Sequence, residues 1–334
     1  MLRAPRFWWR ERPTLLARLL QPLGFIYGRI TLRRMQRPGT EAGVPVICVG
    51  NFIAGGAGKT PTAIAIARLL EERGEKPFVL MRGYGGRLTG PVGVDPDRHR
   101  ATDVGDEPLL MARHARTVIA RDRVAGARLA RGLGASSVVM DDGLQNPSLL
   151  KHLRLAVVDG ASGAGNGLCL PAGPLRAPLA EQVSEIDAVI VIGPGDAGER
   201  VAAVARAAQK PVLAAVLKPG EAAVERLRGR KVVALSGIGR PEKFAATLRG
   251  AGATVAAEQA HGDHHAYAES DVAAALAAAR KHSALVATTE KDWTKLAPLW
   301  PEDARERLVV VPVSLVFAEP AGIAGMLAAV GKAS

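Results

Sequence analysis

The stretch that decides the fold is residues 46–62, VICVGNFIAGGAGKTPT, in which an apolar run enters a glycine-rich turn, passes through Gly58-Lys59-Thr60 and continues into a helical pattern. This is the order of a phosphate-binding loop. Gly55, Gly56 and Gly58 let the backbone turn tightly and aim its N–H groups at an anion, with the positive end of the following helix behind them. In such a loop Lys59 reaches the β- and γ-phosphates and the Thr60 hydroxyl holds Mg²⁺. The nucleotide-contacting set is therefore Gly55, Gly56, Ala57, Gly58, Lys59, Thr60 and Pro61. The full motif has a glycine five residues before Gly58, and this chain has Ile53 there, so the match is to the GK[ST] half. Context supplies the rest: an unpatterned apolar strand over 46–49 precedes the loop, and the helix after it carries Ile64, Ile66, Leu69 and Leu70.

A phosphate loop needs a partner for its metal. Residues 137–143, SVVMDDG, read as a buried parallel strand ending in carboxylates, and a parallel sheet delivers those to the same carboxyl edge as the loop. Asp141 and Asp142 are thus the candidates to hold Mg²⁺, directly or through water. On its own such an ending is an ordinary Asp-Gly turn; the loop at residue 58 gives it meaning.

The chain has 334 residues, enough for two domains with their own cores. Its two cysteines, Cys48 and Cys169, make neither a disulfide framework nor a metal spacing. The net charge of +12 is unevenly spread: residues 1–37 hold nine arginines against one acid, Glu11, a net of +8. The same segment holds Trp8, Trp9 and, after Pro13, apolar residues at 15, 16, 19, 20, 23, 26, 27 and 30, which trace one face of a helix with Pro22 inside it. An arginine-rich amphipathic helix flanked by tryptophans suits an anionic lipid interface. The alternative is a helix packed on the protein with a solvated basic face. Arginines interrupt every apolar run short of the roughly 20 residues a span requires, and no signal-peptide cleavage pattern follows. The leucine and aromatic content favours lipid over nucleic acid as the polyanion, and no protein partner is implied.

Beyond residue 37 the pattern alternates strand and helix. Strands are predicted at 46–49, 77–81, 117–120, 137–140, 155–158, 188–192 and 212–217, and, after Pro219-Gly220, at 231–236, 254–258, 285–288 and 308–313. The fold class is α/β: a phosphate-loop-type doubly wound parallel sheet with a second, smaller α/β domain and an N-terminal amphipathic helix. The expected divisions are 1–37 (interfacial segment), 38–221 (phosphate-loop domain), 222–315 (smaller domain) and 316–334 (closing helix).

Seven short blocks then occur in register: VGNFIAGGAGKTP at 49–61, RGYGG at 82–86, VGDEP at 104–108, DDGLQN at 141–146, GNG with LPAGPLR across 165–176, DH at 263–264 and TEKD at 289–292. Together they resemble the tetraacyldisaccharide 4'-kinase family, the lipid A kinases of Gram-negative bacteria, over nearly the whole chain. Asn146 stands where the family often has His, and Trp293 where it often has Ala. The resemblance implies transfer of the ATP γ-phosphoryl group to the 4'-hydroxyl of tetraacyldisaccharide 1-phosphate, giving lipid IVA. It also implies Mg²⁺, a two-domain build and peripheral association with the cytoplasmic face of the inner membrane.

By the same resemblance, Asp106 is the catalytic carboxylate beside the acceptor hydroxyl and His264 its partner from the second domain. A sugar hydroxyl is a poor nucleophile, and an aspartate within hydrogen-bond reach accepts its proton as the transition state forms, with a histidine to orient it. Asp-Glu-Pro is also a good helix start, so capping is the alternative for Asp106, and His265 is the alternative to His264. Arg82 and Tyr84 follow a strand and are candidates for phosphate and for sugar or base. Glu107, Gln145 and Asn166 are further candidates for substrate contact, Arg176 for an anionic group, and Glu290-Lys291-Asp292 for nucleotide or an ion-pair cluster.

Two other classes compete. A regulatory ATPase switch of the deviant-Walker type shares the loop, but its signature lysine falls where this chain has Ala54. That class also has no use for an Asp106/His264 pair. The third reading is a basic membrane-binding module that senses nucleotide without turnover. Acceptor-dependent ATP consumption separates all three.

Overall fold

A computed structural model describes residues 4–263 and 265–332. Among them, thirteen strands in chain order build two sheets: β1 (Val46–Gly50), β2 (Pro77–Met81), β3 (Val92–Gly93), β4 (Thr117–Ile119), β5 (Ser137–Asp141), β6 (Leu153–Asp159), β7 (Ala188–Ile192), β8 (Val212–Pro219), β9 (Lys231–Ser236), β10 (Thr254–Ala260), β11 (Leu285–Thr289), β12 (Leu308–Val311) and β13 (Val313–Phe317). The larger sheet runs β13-β8-β7-β6-β1-β5-β2-β4-β3 and the smaller β10-β9-β11-β12. The smaller sheet is parallel throughout, whereas the larger carries one antiparallel strand at each edge, β13 against β8 and β3 against β4.

The loop-bearing strand β1 is central and buried on both faces. Ile47 and Val49 point to one side, where Ala63, Ile66 and Leu70 of the helix Lys59–Glu72 cover them together with Ile323 and Leu327 of the closing helix Pro320–Lys332. Val46 points to the other side with Leu80 and Met140, and Cys48 joins Ala156 and Val158 there. Burial on both sides explains why the strand reads as an unbroken apolar run rather than an alternating one. Each such side chain contributes about 1.5–3 kcal/mol of transfer free energy. From β1 the chain crosses to β2 on one side, returns to β5, and only then crosses to β6 on β1's other flank. The connections diverge at the carboxyl ends of β1, β5 and β6, and that divergence opens the crevice in which doubly wound sheets bind ligands.

The expected strand over 308–313 is divided. Proline at 312 removes a ladder donor, so β12 closes the smaller sheet and β13 turns back to pair antiparallel with β8 of the larger one. The chain thus leaves the larger sheet after β8 and re-enters it at β13, with the closing helix packed on the larger core.

The N-terminal helix spans Leu15–Met35, and Thr14 is its N-cap, accepting from the Ala17 N–H at 3.3 Å, so Pro13 precedes the helix rather than opening it. Its buried side is a row of small residues, Ala17, Gly24, Gly28 and Thr31, ending in Leu32 and Met35. A Cβ at Gly24 would stand 2.7 Å from the Cys169 carbonyl oxygen and one at Gly28 2.8 Å from its Sγ, so only glycine lets this helix sit so close to the 165–176 loop. The leucine face lies opposite and is open, with Leu15 75% and Leu19 70% exposed and Leu16, Leu23, Phe25, Ile26 and Ile30 more than half exposed. Trp8 is pinned to the protein: its Nε1–H donates to the Pro171 carbonyl at 3.0 Å, and its own carbonyl accepts from Asn166 N at 2.7 Å. No helix among the described residues is long and apolar enough to cross a membrane.

Candidate active site

The loop after β1 is framed by side chains rather than left to its glycines. Asn51, fully buried, donates to the Gly55 carbonyl at 2.9 Å, and the Ala54 N–H reaches the Pro174 carbonyl at 2.8 Å. Gly58 caps the helix Lys59–Glu72 with φ 92°, and a Cβ there would lie 2.6 Å from Ile192 Cδ1 at the end of β7. Conformation and space both demand glycine at that position. Lys59 and Thr60 open the helix, so its free N–H groups and positive dipole end face the crevice.

Pairing of β1 with β5 sets Val49 opposite Asp141, and the Asp142 N–H donates to the Val49 carbonyl at 2.8 Å. Both acids therefore stand beside the loop, in unlike environments. Asp141 is 4% exposed, and its Oδ1 has no hydrogen-bond partner among the described residues. Burial pushes its carboxyl up to about 7 against the pull of Lys59, with Asp142 and Glu107 adding to the rise. Asp142 sits in the left-handed region at φ 52° with its carboxylate turned toward the crevice, 3.8 Å from Lys59 Nζ and 3.2 Å from Arg176 Nη2. Burial opposes its ionisation, but Lys59 and Arg176 outweigh that and hold it below the usual carboxylate range. A hard dication suits two adjacent carboxylates and a threonine hydroxyl, and the orphaned Asp141 oxygen is a buried acceptor in want of a positive partner. Thr60, Asp141 and Asp142 fit Mg²⁺ on that ground.

Gln145 and Arg176 form a brace behind the loop. Gln145 donates to the Asn51 carbonyl at 2.9 Å and to Gln182 Oε1 at 3.1 Å, while its own Oε1 accepts from Arg176 Nη1 at 3.0 Å. Arg176 also donates from Nε to the Ile53 carbonyl at 3.0 Å. Both side chains are thus tied to the protein. Asn166 is 7% exposed; its amide donates to the Ala172 carbonyl at 3.0 Å and its oxygen accepts from the Leu168 N–H at 3.1 Å, which makes it the post of the 165–176 loop.

Asp106 opens the helix Asp106–Ala112, whose N-cap is Gly105 at φ 95°. It lies inside the first turn, where its Oδ1 accepts from the Glu107 N–H at 3.0 Å. Gly105 packs so closely that a Cβ would meet the Tyr84 carbonyl oxygen at 2.3 Å, which seats the 82–86 loop against Asp106; Arg82 and Tyr84 are exposed there. The second unit faces this helix with Glu290–Leu296. Lys291 Nζ stands 3.1 Å from Glu107 Oε1 and 3.3 Å from Asp263 Oδ1, Lys295 Nζ is 3.6 Å from Asp106 Oδ2, and Glu290 Oε1 meets His114 Nε2 at 2.8 Å. Lys291 thus makes an ion pair, and Glu290 a hydrogen bond to His114, across the junction of the two units, and Asp292 is fully buried.

His264 lies outside the described residues. Its neighbour His265 stacks on His261 with ring centroids 4.2 Å apart and planes inclined by 18°, and its Nε2 is 3.1 Å from Asp271 Oδ2. Donor atoms of His261, His265 and Asp271 all lie within 4.8 Å of one another. Lone pairs of nearly parallel imidazoles do not converge on one point, so this is a stacked pair anchored by a carboxylate rather than a metal cage. A second junction lies at the end of β6: Asp159 is paired with Arg240, at 2.9 Å, and with Lys243, and Arg240 Nη2 donates to Ser162 Oγ at 2.9 Å.

Sequence reasoning missed several members of the site. Asn51 follows a strand in an otherwise apolar context, which is the local signal for a buried polar brace. Arg123, 4% exposed, donates to the Ala120 carbonyl at 2.9 Å and acts electrostatically on Asp141 and Asp142. Asp159, Arg240, Lys243 and Lys295 pair across more than 75 positions of sequence, and nothing local announces such partners.

A phosphate loop at the central strand, with two adjacent carboxylates at the end of the neighbouring strand, marks a nucleotide-dependent phosphotransferase of the phosphate-loop class. The family model described as tetraacyldisaccharide-1-P 4'-kinase (LpxK) matches residues 16–331, and the chain belongs to that family. The tetraacyldisaccharide 4'-kinase of Methylobacterium nodulans is 54% identical over 99% of this chain and 97% of its own length. That of Methylorubrum extorquens is 53% identical over 98% of each. Among solved structures, Aquifex aeolicus LpxK in complex with ATP superposes with a TM-score of 0.71 over 95% of this chain and 99% of that one, at 22% identity, and shares the fold.

Proposed function

We propose that the protein transfers the γ-phosphoryl group of ATP to the 4'-hydroxyl of tetraacyldisaccharide 1-phosphate, giving lipid IVA in lipid A biosynthesis. The observation that carries this reading is the Lys59–Asp142 pair beside the glycine loop, with Glu107, the neighbour of Asp106, acting electrostatically on Asp141, in a chain whose residues 16–331 match the 4'-kinase family. In this reading the N–H groups of residues 55–60 and the Lys59 ammonium receive the β- and γ-phosphates, and Arg176 is poised to follow charge as it shifts to the transferred group. Asp106 accepts the proton of the acceptor hydroxyl, oriented by His264, and Arg82, Tyr84 and Glu107 line the approach of the sugar. Thr60, Asp141 and Asp142 would hold Mg²⁺, which supplies charge neutralisation between the phosphates. The larger unit carries the nucleotide and the smaller brings its polar face to the acceptor side of Asp106.

The open leucine face of the N-terminal helix and the arginines around it support peripheral association with the anionic cytoplasmic surface of the inner membrane, where the 4'-hydroxyl of an acylated disaccharide is presented. The test is incubation with radiolabelled ATP, Mg²⁺ and tetraacyldisaccharide 1-phosphate in detergent micelles. A lipid carrying a second, labelled phosphate is the expected product. ATP hydrolysis that ignores the acceptor would instead favour a regulatory ATPase.

A further inference from the structure

We propose that Lys295 is a positioning residue for this reaction: its ammonium group, brought from the second unit, fixes the Asp106 carboxylate and keeps it ionised. The inference rests on the reading of Asp106 as proton acceptor.

The helix Glu290–Leu296 begins at Thr289, whose Oγ1 accepts from the Asp292 N–H at 3.0 Å. In a helix, residues four apart share a face. Lys291 and Lys295 therefore both meet the helix Asp106–Ala112, Lys291 at Glu107 and Lys295 at Asp106. The two ion pairs differ in setting. Glu107 is more than one-third exposed, whereas the Asp106 and Lys295 side chains are 8% and 13% exposed. Charge–charge interaction is stronger where water is scarce, so the Lys295–Asp106 pair is the one able to move a protonation equilibrium.

Three contacts hold the ammonium in place. Asp292, with no exposed side-chain surface, has its Oδ2 tied by the Gly237 N–H at 3.0 Å and the Thr289 hydroxyl at 2.7 Å, which aims its Oδ1 at Lys295 Nζ, 3.8 Å away. The Tyr267 ring lies 5.4 Å from the same nitrogen. Asp106 Oδ2 completes the set at 3.6 Å. Lys295 Nζ makes no hydrogen bond among the described residues, so it acts on Asp106 as a fixed charge rather than as a proton donor. Among the described residues, the ionisable groups around this corner include Glu107 on the same helix, Lys291 and Asp292 on the opposing one, Asp263 and Tyr267 from the second unit, and His261 and His265, whose rings pack against Tyr267. Acids this close oppose the ionisation of a neighbouring carboxylate, and cations favour it. Lys291 answers Glu107 and Asp263 and also acts on Asp106 from further off, whereas Lys295 makes the direct pair with Asp106.

An opposite charge at this range lowers an aspartate pKa by roughly 1–3 units. The experiment compares Lys295→Met, Lys295→Gln, Lys295→Arg and Asp106→Asn with the unaltered enzyme, reading kcat, the KM for ATP, thermal melting and the pH profile of kcat/KM. Both neutral replacements should lower kcat about 10- to 100-fold at neutral pH with the ATP KM within about twofold. They should also move the acidic limb upward by about one unit, because a base without its cation holds its proton to higher pH. Arginine should restore most of both. The limb is read on whichever neutral variant melts as a folded protein, and a rate loss with an unmoved limb would make Lys295 structural and overturn the proposal. Should Lys295→Arg alone fold, a limb shifted no less than a unit and a rate no better than 1% would do the same. Full activity in Asp106→Asn would remove the proton acceptor itself, an outcome no Lys295 variant can mimic, and the proposal would fall with it.

Discussion

The Lys59 ammonium stands 3.8 Å from Asp142 Oδ1 while Arg176 reaches the other oxygen of that carboxylate at 3.2 Å. One acid thus gathers two cations at the loop, and a triphosphate entering the loop competes for both. Positioning and charge stabilisation make up most of phosphoryl-transfer catalysis, so Lys59→Ala should lower turnover by on the order of 10³-fold at saturating ATP. Near-normal turnover in that variant would remove the phosphate-loop assignment. Thr60→Ala and Asp142→Ala should regain part of their activity as Mg²⁺ is raised, and a titration of rate against Mg²⁺ reads this directly.

Asp141 carries the opposite prediction for pH. Its carboxyl is raised by burial to about 7 in the folded protein, against about 4 in an unfolded chain. The folded state therefore binds the extra proton between those values. This contribution to stability is complete below about pH 4 and is lost as the pH rises through about 7, at about 1.4 kcal/mol per unit. Without metal, Asp141→Asn should flatten the fall in melting temperature between pH 5 and 8 and exceed the unaltered protein in stability at pH 8. Mg²⁺ added to the unaltered protein near pH 6.5 should release protons, measurable in buffers of differing ionisation enthalpy. Equal pH slopes in the two proteins would contradict an uncharged Asp141.

The proposed Asp106–His264 dyad is a claim about coupling. Each single alanine variant should lower kcat more than it weakens ATP binding, and the double variant should be little worse than the poorer single one, as groups acting as a unit behave. A His265→Ala variant serves as comparison, since His265 is occupied by His261 and Asp271. Losses that multiply for Asp106 and His264 would show that the two act independently.

What the sequence made legible is what local spacing encodes. Gly58-Lys59-Thr60 after an apolar strand, and Asp141-Asp142 at the end of another, imply the same sheet edge, and β1 and β5 are indeed neighbours in register. The break at Pro312 is written in the sequence but masked by the apolar run on either side of it; a proline in a strand argues for a boundary. Gln145 and Asn166 have side chains suited to a substrate, yet the carbonyls of Asn51 and Ala172 claim them, and only tertiary contact reveals such a competitor. The Asp106–Lys295 and Asp159–Arg240 pairs join distant parts of the chain, where no periodicity operates. The N-terminal helix divides the same way: its amphipathic period was plain, but its docking by Gly24 and Gly28 rather than by leucine depends on the 165–176 loop.

That docking leads to the last prediction. Because glycines seat the helix, the leucine face remains outside, and exposed arginines at 6, 10 and 12 precede it in the chain. Each arginine near an anionic surface contributes about 1 kcal/mol, and buried apolar area adds to it. Replacing Arg3, Arg6, Arg10 and Arg12 with glutamine should release the protein from anionic vesicles and raise the apparent KM for vesicle-borne acceptor. Leu15, Leu19 and Leu23 to serine should do the same by a different route. The two sets are separable by salt, because surface charge is screened over about 8 Å at physiological ionic strength and over less above it. High salt should therefore mimic the arginine variant and add to the leucine one. ATP binding should change by less than about twofold in either, since Arg6, Arg10, Arg12, Leu15, Leu19 and Leu23 are exposed and the glycines that seat the helix on the 165–176 loop are left intact. Cosedimentation of both variants with vesicles at the level of the unaltered protein would mean that the open face serves something other than the lipid surface.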